Sequence, residues 1–281
     1  MEYEGRICRA GSEKSSFMLP TAAGCSYNSC LFCGLFKDIK YRELDLSDIR
    51  AELDRVKALG ADPKTVYLGD GNAFHQSFSR LCDIASMLHE RFPSLSEIRM
   101  DSTIPDVSRK SDEELRTLAQ LGVSRLYIGI ETALPDVLTK MKKCHTADMA
   151  IKETERLHKA GIDFAAHVMF GIAGQGRGEE NARVLAAFIN RTKPVLTVNF
   201  SLFPHELTEE MKEGRFIRAS EAETLLEDRT FISLVDIPME YESYHDNYGE
   251  ATKFHMKGQL PGDRERFLRR LDSVLESLPD R

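Results

Sequence analysis

The chain has 281 residues, 42% of them apolar and 30% charged, enough to build one medium globular domain. Thirty-eight Lys and Arg against 45 Asp and Glu leave a formal charge of −7, which argues against a general attraction to nucleic acid or an anionic membrane surface. Apolar runs fall far short of the ~20 residues of a membrane-spanning helix, and the acidic opening Met1-Glu2-Tyr3-Glu4-Gly5-Arg6 lacks the apolar stretch of a secretory leader, so a cytoplasmic protein is expected.

In chain order, strands are expected over 16–19, 64–69, 97–101, 124–131, 162–171 and 195–201. Helical spacing fills the gaps. Leu46, Ile49, Leu53 and Val56 recur ahead of Gly60, and Leu81, Ile84 and Leu88 ahead of Phe92-Pro93. Ser111 and Glu114 form a capping box, each accepting a hydrogen bond from the other's backbone, and Leu115, Leu118 and Leu121 lead to a stop at Gly122. Helices over 146–160 and 179–190 end at Gly161 and before Pro194. Six strands alternating with helices predict parallel strands joined by right-handed crossovers.

Polar side chains line one face of the later strands: Tyr127, Gly129 and Glu131; Asp163, Ala165, His167 and Met169; Thr197, Asn199 and Ser201. A central strand covered by helices on both sides reads as nearly continuous apolar sequence. A polar face instead suits a strand-lined cavity with ligands at the C-terminal strand ends. The expected fold is α/β, a partial (β/α)6 TIM-like barrel over 15–201, preceded by an N-terminal segment 1–14 and followed by a C-terminal helical extension, 202–281, packed on the barrel. Within the extension, helices are expected around 206–214, over 219–231 and from Pro261. The segment 241–257 between them holds His245, Asn247, Tyr248, Lys253 and His255, whose histidines read as solvated, with capping of the site as the alternative.

Cys8, Cys82 and Cys144 are scattered, whereas Cys25, Cys30 and Cys33 fall within nine residues directly after the first strand. In a reducing compartment such a cluster reads as a metal site. Three soft thiolates suit iron–sulfur or zinc. A cubane held by three cysteines keeps one iron free of protein ligands, and an open coordination position implies chemistry. The competing readings are a structural zinc site completed by Cys82, Cys144 or His75, a non-catalytic electron carrier of the plant ferredoxin type, which shares this spacing, and a chance grouping of inert thiols.

The loop Gly24-Cys25-Ser26-Tyr27-Asn28-Ser29-Cys30-Leu31-Phe32-Cys33-Gly34, placed after a first strand and before a run of β/α units, resembles the radical S-adenosylmethionine superfamily, in a subgroup with four residues between the first two cysteines. The resemblance implies a 4Fe-4S cluster on Cys25, Cys30 and Cys33 whose free iron chelates S-adenosyl-L-methionine. It further implies reductive cleavage to a 5′-deoxyadenosyl radical, hydrogen abstraction from an unidentified small-molecule or peptide substrate, and an external one-electron donor of flavodoxin or ferredoxin type.

Cofactor-binding positions follow from the same resemblance. Phe32 is implied beside the adenine. Gly69, Asp70 and Gly71 form a variant of the family's Gly-Gly-Glu turn, which holds the methionine amino group. Glu131, in Ile128-Gly129-Ile130-Glu131-Thr132, is implied at the ribose or methionine moiety, and Gly171 and Gly174, in Phe170-Gly171-Ile172-Ala173-Gly174, beside the adenine. Each glycine alone equally suits a tight turn. Alternation along the strands leaves Arg99, His167 and Asn199 as substrate-facing positions or, equally, satisfied interior polar groups, with the surface a further alternative for Arg99. Asp101 and Ser102, at the end of the third strand, read as the start of a turn, with a ligand contact as the alternative. The negative charge and the absence of an appended basic domain favour a small molecule or peptide over a nucleic acid.

Overall fold

Strand and helix alternate in the structure, a computed structural model that describes residues 9, 11–200, 207–245 and 253–278. A 3-10 turn at Gly11–Glu13 leads into β1 (Phe17–Gly24), β2 (Arg42–Glu43), α1 (Leu46–Ala58), β3 (Thr65–Gly71), α2 (Phe78–Arg91), β4 (Glu97–Ser102), α3 (Ile104–Ser108), α4 (Asp112–Gln120) and β5 (Val123–Glu131). Then follow α5 (Pro135–Lys140), α6 (Ala147–Ala160), β6 (Asp163–Val168), α7 (Gly178–Thr192), β7 (Leu196–Asn199), α8 (Thr208–Lys212), α9 (Glu221–Leu234), β8 (Met239–His245), β9 (Phe254–Leu260) and α10 (Arg264–Ser277). The strand order is β2-β1-β3-β4-β5-β6-β7-β8-β9. Ser201, Asn247, Tyr248 and Cys8 lie outside the described residues.

Two compact units make up the chain. One comprises the described residues to Asn28 with Cys33–Ile128 and Glu153–Phe164; the other comprises Ser29–Phe32, Gly129–Lys152 and the described residues from Ala165 onward. In the first, β1 pairs parallel with β3 from Phe17↔Val66 to Pro20↔Gly69, then shifts so that Gly24 meets Gly71. β3 runs parallel to β4, and β4 to β5 with Asp101 opposite Tyr127. Local sequence sets the helices. Ile49, Leu53 and Val56 are the buried stripe of α1, and Gly60 turns the chain at φ +79°. The Ser77 hydroxyl caps α2 by accepting from Arg80 N–H, and the expected Ser111/Glu114 box caps α4.

In the second unit β6 pairs parallel with β7, and β7 with β8, placing Asn199 opposite Ser243. The described residues of the segment 241–257 form most of β8 and part of β9, which pairs antiparallel with β8 and sets Tyr244 opposite His255. His245 is accordingly not solvated. It is 2% exposed, its Nε2 lying 2.8 Å from Asp228 Oδ2 and 3.0 Å from Ser243 Oγ, because α9 lays a carboxylate against that face of the strand. His255 on β9 is exposed. α9 packs between α7 and α10. No helix among the described residues is long and apolar enough to cross a membrane.

Candidate functional site

The cysteine loop begins where two strand ends meet backbone to backbone. Gly24 (φ +78°) ends β1 and Gly71 (φ +139°) ends β3, and a Cβ on Gly71 would lie 2.0 Å from Gly24 O. Only glycine permits that approach. The start of the loop is thereby held against residues 69–71 at the end of β3, two segments that the sequence separates by more than forty residues. Cys25 follows at once, half-buried, its Sγ accepting from Asn28 N–H at 3.5 Å. Asn28 takes the left-handed conformation and donates its side-chain amide to Phe36 O at 2.6 Å, closing the turn. Cys30 and Cys33 are likewise half-buried and in no disulfide.

Asn72, 4% exposed, links the loop to a buried carboxylate. Its Nδ2 donates to Ser26 Oγ at 2.8 Å and to Asp106 Oδ2 at 2.5 Å. His75 Nδ1 lies 2.6 Å from Asp106 Oδ1, and Thr103 donates its hydroxyl to the same carboxylate. Burial alone raises the Asp106 pKa, but these three hydrogen bonds outweigh it and hold the group below the usual carboxylate range. Asn72 Oδ1 is buried without a hydrogen-bond donor, an acceptor left for a ligand group beside the cysteine loop. Asp70, the penultimate residue of β3, is 2% exposed.

In the second unit Leu31 N–H donates to Met141 O at 3.0 Å, tying the middle of the cysteine loop to the end of α5. Phe32 is buried, with the Lys143 ammonium 5.7 Å from its ring centroid. Lys143 Nζ sits 3.3 Å from Glu131 Oε1, and both side chains are nearly buried. Glu131 is a non-glycine residue at φ +64°, a strained conformation of the kind that gathers at functional sites. Its carboxylate folds back over Gly129, where a Cβ would come within 2.4 Å of Oε1. Desolvation raises the Glu131 pKa against the pull of Lys143. Burial disfavours the charged lysine, but the Glu131 charge and hydrogen bond, with the Cys30 and Cys144 sulfurs adding negative charge, outweigh it and raise the lysine's pKa. The same ammonium, with burial as the larger cause, pushes His145 down to about 3.

Gly171 and Gly174, at φ +81° and +84°, shape the loop after β6, and Met169 N–H donates to Glu131 O at 3.0 Å, so this loop and the end of β5 are joined. The three substrate-facing expectations fare differently. Arg99 donates to the fully buried Glu13 at 2.7 Å and also pairs with Glu97. Asn199 is completely buried, accepting from Phe170 N–H at 2.9 Å and donating to Ser243 Oγ at 3.0 Å. His167 is half-buried against the edge of Phe200, with ring centroids 5.0 Å apart, and burial lowers its pKa to about 4, leaving it neutral.

Asp101 is no turn residue but the penultimate position of β4. Desolvation lifts its carboxyl to about 7, opposed by the Tyr67 hydroxyl. Sequence reasoning missed Asn72, Asp106 and Lys143. Lys143 had one usable signal, a cation three residues beyond a short helix that follows the Glu131 motif.

The cysteine loop, the glycine turn that meets it and the Glu131–Lys143 pair stand at strand ends, where an α/β protein presents its ligands. Known proteins resemble this chain in sequence and in fold. The Heme chaperone HemW of Bacillus subtilis (strain 168) is 28% identical over 118 residues, 41% of this chain and 30% of that protein. The chain thus spans less than a third of that curated relative's length. Among solved structures, coproporphyrinogen III oxidase (HemN) from Escherichia coli, a radical SAM enzyme, superposes with a TM-score of 0.61 at 14% identity, covering 78% of this chain and 51% of that one. Methylornithine synthase (PylB) superposes with a TM-score of 0.56 at 16% identity, covering 95% and 83%. These likenesses show the fold. Residues 19–189, more than half of the chain and all of the motifs described above, match the radical SAM superfamily, and the protein belongs to it.

Proposed function

We propose that the protein is a radical SAM enzyme in which Cys25, Cys30 and Cys33 hold a 4Fe-4S cluster and that it acts on a small molecule or peptide. The observation that carries this reading is the Gly24–Gly71 contact, which brings the cysteine loop onto the turn that the resemblance assigns to the methionine end of the cofactor. The donor set fits the group: three unoxidised thiols on one short loop, an unsatisfied Asn72 acceptor beside it and a buried ammonium near Cys30. When bound, the cluster and S-adenosyl-L-methionine supply reductive cleavage of a sulfonium and, through the 5′-deoxyadenosyl radical, hydrogen abstraction.

The chain's own residues bind and orient. Gly69, Asp70 and Gly71 present backbone and carboxylate at the end of β3. Glu131 and Lys143 offer a paired carboxylate and ammonium, Phe32 an apolar ring, and Gly171 and Gly174 an open backbone for a flat base. His167, neutral and half-buried, remains the substrate-facing candidate. Arg99 and Asn199 are committed to protein partners. The electron comes from a separate flavodoxin or ferredoxin-type donor.

Anaerobic reconstitution with iron and sulfide, followed by dithionite and S-adenosyl-L-methionine, tests the reading by chromatography of 5′-deoxyadenosine. Reductant-dependent 5′-deoxyadenosine supports it. A reducible cluster without that product leaves an electron carrier, and bound zinc without sulfide leaves a structural metal site. Because one relative is named a heme chaperone, heme is titrated in parallel. A Soret band without 5′-deoxyadenosine turns the reading toward cofactor handling.

A further inference from the structure

Glu227, on α9 of the C-terminal extension, lies behind two of the segments that the proposed function assigns to S-adenosyl-L-methionine. It is 1% exposed. Its Oε2 accepts from Gly171 N–H at 2.9 Å, and its Oε1 accepts from Asn181 Nδ2 at 2.6 Å. Asn181 Oδ1 in turn accepts from the Thr132 hydroxyl, next in chain to Glu131, and that hydroxyl oxygen accepts from Leu134 N–H at 3.1 Å. One carboxylate therefore holds the glycine loop directly and the end of β5 through a single amide.

The extension grips the same loop at further points. Glu223 Oε1 accepts from Gly176 N–H at 2.7 Å, and Ile217 O accepts from Gln175 N–H at 2.9 Å. A Cβ on Gly174 would fall 2.9 Å from Ile217 O, so the two backbones touch. Residues 216–227 thus supply the acceptors for three of the N–H groups of 171–176, in a loop whose glycines provide no side chains to fix it. Without those acceptors, the buried Gly171 N–H has nothing to fix its direction.

We infer that Glu227 is a positioning residue for the adenosine end of the cofactor, setting the glycine loop and the Glu131–Thr132 strand end in register from the side away from the ligand. It touches no ligand itself. The C-terminal extension is, on this view, a working part of the cofactor site. This inference rests on the proposed function and extends it to residues outside every motif of the cysteine-bearing core.

The chemistry of the chain of acceptors selects the variants. In Glu227→Gln, one amide oxygen still meets Gly171 N–H. The amide NH2 then faces Asn181, whose side chain can turn over to accept from it and donate to Thr132. Glu227→Leu leaves both donors orphaned. Binding of S-adenosyl-L-methionine and of the unreactive S-adenosylhomocysteine is measured by equilibrium dialysis on anaerobically reconstituted protein. Iron and sulfide content and melting temperature are determined on the same samples.

The expected result is a dissociation constant about tenfold higher in Glu227→Leu for both ligands at unchanged cluster content, with Glu227→Gln within about threefold of wild type. Glu223→Ala, at a partly exposed position, is expected to weaken both ligands by a few-fold, and it tests the same grip should Glu227→Leu fail to fold. Equal affinities in wild type and Glu227→Leu, or in wild type and Glu223→Ala if the first variant does not fold, overturn the inference while leaving the proposed function intact. A wild-type protein that carries the cluster but binds neither ligand overturns the proposed function and this inference with it.

Discussion

Lys143 and Glu131 form an ion pair in which neither partner has a ready substitute: Nζ to Oε1 is 3.3 Å, with side chains 7% and 10% exposed. The carboxylate lies over Gly129, where an added Cβ would meet Oε1 at 2.4 Å and Lys143 Nζ at 3.2 Å. Removing one member of a buried pair costs more than removing both, because the survivor stays desolvated and unpaired. Lys143→Met is therefore expected to lower unfolding free energy by about 3 kcal/mol, and Lys143→Met with Glu131→Gln by clearly less. Anaerobic urea unfolding of the wild type, both single variants and the double variant gives the coupling. Additive single effects would show that the two charges do not depend on each other.

Glu227 gives stability a pH dependence of definite sign. Burial lifts its carboxyl to about 8, outweighing the hydrogen bonds from Asn181 and Gly171 N–H, with Asp228 and Glu223 adding to the rise. The groups around it are Asp228 and Glu223 on its own helix, Asn181 and Gly178 of α7, and Tyr241 of β8. The fold therefore binds a proton that the unfolded chain releases near its ordinary value. This contribution is complete below the ordinary glutamate pKa, declines as pH rises, and is gone above about 8. Between pH 5 and 8 the wild type should lose stability relative to Glu227→Gln, with a slope approaching about 1.4 kcal/mol per pH unit. Denaturant midpoints across that range measure the difference, and parallel curves would contradict the assignment.

The sequence made the strands and their glycine stops legible because period-two patterns and positive-φ turns are local. The Ser111–Glu114 box could be read for the same reason, since both members lie within one helical turn. Partners that meet only in three dimensions were not legible. Glu13, Lys143 and Glu227 each sit beside another charged residue in sequence and look like surface positions, and each is buried with its partner because Arg99, Glu131, or Asn181 with Gly171 arrives from elsewhere in the chain. Strand β8 escaped for a related reason. Glu240, Glu242 and Tyr244 alternate with Tyr241, Ser243 and His245, so both faces look polar, yet Asp228 satisfies all three members of the second set.

Backbone contact at Gly71 predicts a sharp contrast between two glycines of the same unit. Both have positive φ, but a methyl group added at Gly60 would meet nothing within 4 Å, whereas one at Gly71 would meet Gly24 O at 2.0 Å. Gly60→Ala should cost about 1–2 kcal/mol, the price of a left-handed alanine. Gly71→Ala forces the ends of β1 and β3 apart and should cost more than about 4 kcal/mol or abolish soluble expression. Urea unfolding of the two variants checks this, and similar losses would mean that the strand ends separate easily.

Arg99 supplies the last test, since its alternation along β4 suggested a substrate contact and its hydrogen bonds suggest another duty. Glu13 is 0% exposed and receives hydrogen bonds from Ser16, Tyr127 and Arg99. Burial pushes the Glu13 pKa up, but those donors and the Arg99 charge outweigh it, and the folded value falls below the ordinary one. Stability from this group is then present above the ordinary glutamate pKa and lost as pH falls through the lowered folded value. Arg99→Met removes the only full positive charge acting on Glu13 among these partners. It should destabilise the fold by about 3 kcal/mol at pH 7 and by less near pH 4, where Glu13 in the variant takes up a proton. Affinity for S-adenosyl-L-methionine should stay within about twofold of wild type, because none of the hydrogen bonds described above joins the pair to the cysteine loop. Unfolding curves at the two pH values decide between the duties: an unchanged stability would return Arg99 to the substrate, and a pH-dependent loss assigns it to the burial of Glu13.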